Sequence, residues 1–188
     1  MTTEAAVYKF GKIENGLDME YRYANLWDIE QTRGPSRLLL APVADQVSLV
    51  SDLLNDLPEP FGILYVLLLS RRGHEPGRYQ SPYPTDTSET RRFLEEYREF
   101  LERDARHHLR VMSLAAEGTI VYDNHNVIYA YGSLQKFEQV AHKHALKRGD
   151  VRFPVPHTHK YNAAYDDEED KILSHWSWKM FPLQESDD

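Results

Sequence analysis

The run Phe61-Gly62-Ile63-Leu64-Tyr65-Val66-Leu67-Leu68-Leu69 constrains this chain more than any other segment. Nine apolar residues are too few to cross a bilayer. Bounded by Pro58 and Pro60 before and Arg71-Arg72-Gly73 after, the run predicts a central strand buried on both faces. Such a strand requires a sheet with a second layer packed against it.

The flanking segments supply that layer. Val43, Val47, Val50, Leu54 and Leu57 recur every three or four residues, the stripe of a helix that Pro58 ends. Residues 87–106 predict a long helix with Phe93, Leu94, Tyr97, Phe100 and Leu101 inward, followed by His107-His108 at its carboxyl end. A third helix begins at Ser133 and closes near Gly149. Strands are expected at 19–27, 37–41, 109–115 and 151–160, with a hairpin over 118–131 turning at Asp123-Asn124-His125-Asn126. An acidic turn, 166–170, is expected to lead into a strand over 172–180, where Trp176, Trp178 and Met180 alternate with polar residues. The fold class is therefore α+β: a single domain over 1–188, with a mixed or mainly antiparallel sheet and two to three helices on one face. Residues 1–17 read as an arm and 184–188 as a loose tail.

Composition removes several kinds of function. With no cysteine there is no disulfide framework, thiolate nucleophile or cysteine-ligated zinc. The first residues lack a basic region followed by an apolar core, so a cytoplasmic location is expected and no membrane association. A net charge of −8 argues against nucleic acid as partner. It is compatible with a basic protein partner, above all along the acidic run 166–170. No Gly-x-Ser-x-Gly and no P-loop is present, so no catalytic motif can be named.

Two places could carry chemistry. His157 and His159 lie two apart in a β-favouring segment and so project from one face of a strand. They could hold a divalent transition metal, with His175 or a carboxylate of the acidic run completing the ligand set. His142 and His144, also two apart, fall on a helix and point to nearly opposite sides. The second place is the loop 71–86, whose Arg72, His74, Arg78 and Tyr79 could bind a small anion, with Tyr161 as a further ligand-binding candidate. Three functions follow in order. The first is a non-catalytic binding domain, comparable in charge and size to small acidic inhibitors of basic proteins. The second is a metal-dependent hydrolase or oxygenase centred on the His-x-His strand. The third is a small-anion receptor built on the 71–83 loop.

Overall fold

A computed structural model describes residues 7–187. The expected central strand is β5 (Phe61–Leu67), buried along its whole length. It pairs antiparallel with β6 (Gly77–Gln80) on one side and β7 (His107–Ser113) on the other. From β7 the sheet continues through the hairpin β8 (Thr119–Tyr122) and β9 (Ile128–Tyr131), then β4 (Arg37–Ala41) and β3 (Leu26–Glu30). The short β10 (Lys147–Arg148) joins β3 in parallel at one edge, and β12 (Lys179–Phe181) joins β6 at the other. The result is a nine-stranded, mainly antiparallel sheet. A separate three-stranded sheet places β1 (Phe10–Glu14) between β2 (Leu17–Glu20) and β11 (His157–His159).

Five helices contribute to the core on one face of the large sheet: α1 (Gln46–Leu53), α2 (Thr87–Glu96), α3 (Arg98–Arg103), α4 (Leu134–Lys143) and α5 (Asp166–His175). Period-2 alternation decides which strand residues join that core. Ile63 and Tyr65 of β5, Leu109 and Val111 of β7, and Ile120 and Tyr122 of β8 face the helices. Their neighbours in sequence face the other way. The small sheet covers part of that second face: Phe10, Tyr21, Tyr23, Val151 and Phe153 pack on Leu39, Ala41, Val127 and Tyr129. Gly11 permits the close approach of β1 to its neighbours. A Cβ there would come within 2.6 Å of the Thr158 hydroxyl and 2.7 Å of the Asp18 carboxylate.

Several expectations change. Residues 10–17 are not part of an arm, because Asn15 and Gly16 adopt φ of 52° and 77° and turn β1 into β2. Residues 1–6 of the expected arm lie outside the described residues, as does Asp188 of the expected tail. The rest of that tail is anchored, with Asp187 buried. The helix over 87–106 divides at Tyr97 into α2 and α3. His107 and His108 belong to β7 and are buried, not exposed at a helix end. The 71–86 loop contains β6, and only 157–159 of the expected 151–160 strand pair as strand. The acidic run is no loose turn: four acids form the first turn of α5, where the helix N-terminus favours negative charge. That helix reaches His175, so the strand expected from 172 begins only at Lys179.

Candidate functional site

Three imidazoles converge where the small sheet meets the β8–β9 turn. His157 and His159 project from the same face of β11, with ring centroids 5.4 Å apart. His125 comes from the turn between β8 and β9, 5.4 Å from His157 and 4.6 Å from His159 by ring centroid. One ligating nitrogen from each falls within 4.8 Å of the others. Around a metal with bonds of about 2.0–2.1 Å, tetrahedral nitrogens sit roughly 3.3 Å apart, so modest ring rotation closes the set. Phe10, 1% exposed, supports the cluster from beneath, with its ring centre 5.2–5.6 Å from all three.

Local sequence explains how each ring is aimed. Asp123 accepts hydrogen bonds from the backbone N–H of His125 at 2.9 Å and of Val127 at 3.0 Å, which shapes the turn. Its other oxygen lies 3.0 Å from His125 Nδ1. Burial pushes the Asp123 carboxyl pKa up. The bond from His125 and the nearby imidazoles His125 and His108 outweigh that and hold it below its ordinary value. An ionised carboxylate can only accept, so Nδ1 carries a proton, and in the neutral ring it is Nε2 that is left to act as a ligand. His157 follows the same logic, since its Nδ1 lies 3.0 Å from the carbonyl of Pro154, which also can only accept. Nε2 of His159 is buried and has no hydrogen-bond partner among the described residues. Burial, then the proximity of His125 and His157, lowers the His159 pKa to about 4, so this ring is neutral at pH 7. Neutral imidazoles with fixed tautomers are what a metal ion requires.

His175 stands apart from this group. It ends α5 on the helical side of the large sheet, with Nδ1 3.1 Å from the Tyr97 hydroxyl and its ring against Phe93 and Trp176. The acidic run is likewise committed elsewhere. Asp166 pairs with Arg71 and Arg106, Asp170 with Arg72 and His74, and Glu169 with Arg106, Ser70 and the Arg71 amide. The two anion-loop residues Arg72 and His74 thus both meet one carboxylate of the chain, that of Asp170. Arg78 points from β6 to Asp187, the Tyr79 hydroxyl donates to the Glu75 carbonyl, and Tyr161 is exposed just past β11. His142 packs edge-on to Trp27, and His144 meets Asp52 at 2.7 Å, so neither shares a ligand with the other.

The His-x-His spacing points to two of the three rings that converge here, and His125 is not among the residues it suggests. Residues 123–126 signal a turn in the sequence by their backbone tolerance alone. An Asp two residues before a His in a tight turn was the available signal, because such a carboxylate can reach back to Nδ1.

His125 of the cluster also lines a groove of about 1050 Å³ on the uncovered face of the large sheet. His125, Asp123, Asn124 and His108 form one end, and the 113–119 loop forms the other. Arg37, Arg110, Met112, Val121, Tyr129 and Tyr131 line it between these ends. No family model matches this chain, and neither curated proteins nor solved structures show a significant similarity to it. No helix among the described residues is long and apolar enough to cross a membrane.

Proposed function

We propose that this protein is a metal-dependent hydrolase whose centre is His125, His157 and His159. The observation that carries this reading is the convergence of three imidazole nitrogens within 4.8 Å, from a strand and a turn far apart in sequence. Asp123 behind His125 supports it, since ligating histidines commonly give their second N–H to a carboxylate. Three imidazole ligands would leave the full double charge of a divalent ion to act on a fourth ligand. An ion held there would acidify water and polarise a carbonyl. In the hydrolysis this permits, the water oxygen adds to the carbonyl carbon, the bond to the leaving group breaks, and the water proton passes to the leaving group. Hydrolysis is favoured over oxygenase chemistry because no carboxylate from Asp or Glu stands among the three ligands.

The test is equilibrium dialysis of untagged protein against zinc. The wild type is expected to hold about one equivalent. H125A, H157A and H159A should each lose most of this affinity, whereas H175A should retain it. D123N should bind about 10–100-fold more weakly, as expected for removing a partner that orients a ligand. Zinc content below about a tenth of an equivalent would overturn the proposal, as would unchanged binding in H125A.

A further inference from the structure

We propose that the groove beside the three-histidine centre binds an amphipathic carboxylate, with its charged end at Arg110. Its role as a substrate site rests on the hydrolase reading, but carboxylate binding does not depend on a metal.

The floor of the groove is the uncovered face of β8, β9 and β7. Arg110 pairs across from Val121, and Val121 lies two residues from Asp123 along β8. At roughly 3.4 Å per residue, the Arg110 position is about 7 Å along the groove from the histidine end. Val121 and Tyr129 stand in the same row across the sheet as Arg110, and Met112 lies one step further from the histidines. An apolar body lying across these three residues would place an anionic end on Arg110.

A carboxylate already sits at the charged position. Asp187, 1% exposed, places one oxygen 2.6 Å from Arg110 Nη2 and the other 3.2 Å from Arg78 Nε. Ser186, its neighbour, borders the groove. One carboxylate faces two guanidiniums, so the pair keeps an excess positive charge. Nε of Arg110 is buried with no hydrogen-bond partner among the described residues. Such a buried polar atom calls for a partner that the described chain does not itself provide. Guanidinium groups recognise carboxylates through paired, charge-assisted hydrogen bonds. Asp187 therefore marks the place where a ligand carboxylate would bind, either displacing it or joining it.

Calorimetric titration with 4-phenylbutyrate in the presence of EDTA tests this on the full chain. The uncharged 4-phenylbutanol, of similar body, serves as the comparison. The acid should bind at least about tenfold more tightly than the alcohol, given the usual strength of charged hydrogen bonds. R110Q should remove that preference. D187N should bind the acid more tightly than the wild type, because it removes the competing charge without shortening the chain. Binding should persist in H157A. Equal affinity for acid and alcohol would overturn the proposal. So would an unchanged preference in R110Q whose circular dichroism matches the wild type, or a D187N variant that binds no more tightly. Loss of zinc binding with retained phenylbutyrate binding would overturn the hydrolase reading alone, and the converse would overturn the groove assignment alone.

Discussion

Buried titratable residues in this chain are of two kinds, those with partners and those without. Lys9 is partnered: its ammonium donates to the Leu101 carbonyl at 2.9 Å and lies 3.9 Å from the centre of the Tyr122 ring. Burial nonetheless lowers its pKa to about 7. His107 has no such support. It is wedged between Phe100 and Tyr65, close to the Leu101 carbonyl, and neither ring nitrogen makes a well-formed hydrogen bond among the described residues. Burial, helped by the charges of Lys9 and Arg106, drives its pKa well below 6.5. Above pH 6.5 the ring is neutral in both the folded and the unfolded chain. Below it, the unfolded chain takes up a proton that the folded chain refuses, so His107 makes the protein progressively less stable in acid. Phe fits the same apolar slot and cannot take up that proton. In urea unfolding, H107F should gain stability over the wild type, and the gain should widen as pH falls from 7 to 5. A gap that stays constant over that range would contradict this account.

At the scale of elements, an ion network ties α5 to the strand that carries the histidines. Arg106, fully buried, meets Asp104, Asp166 and Glu169, and its Nη2 donates to the Asn162 carbonyl at 2.9 Å. The Asn162 amide in turn donates to Asp104 at 2.7 Å. The segment leaving β11 is therefore pinned at both backbone groups of one residue. R106M should destabilise the protein by about 3–5 kcal/mol, because Asp104 and Glu169 would be left buried without their cation. Urea unfolding measures this directly, and a loss below about 1 kcal/mol would contradict the role given to the network. The sequence showed that the 166–170 run was acidic, but not that Arg71, Arg72 and Arg106 would gather around it. Its charges mask the buried pair Glu169 and Ile172, three apart on one face of α5, so the run reads as a turn. The pair Asn15-Gly16 is a strong hairpin signal, but no long alternating run flanks it. By contrast, β5 and the 118–131 hairpin were legible from local pattern alone, since their neighbours in the sheet reinforce it.

On the scale of the whole molecule, the large sheet divides its labour between its faces. The helices close one face with apolar side chains, and the other keeps histidines, arginines and tyrosines around a groove. This division explains why His175 does not come together with His157 and His159. A strand after residue 172 could have run beside β11, whereas a helix there belongs to the opposite layer. His125 joins the pair only because the small sheet folds over the end of β8 and β9. That packing is long-range, and neither spacing nor periodicity encodes it. The account therefore stands on one geometric claim, that His125, His157 and His159 share one ion. Crystals grown or soaked with zinc, measured at the zinc absorption edge, address it most directly. The account predicts a single strong anomalous peak about 2.0–2.1 Å from one nitrogen of each of these three rings. No peak there, or zinc held only by surface carboxylates, would contradict it.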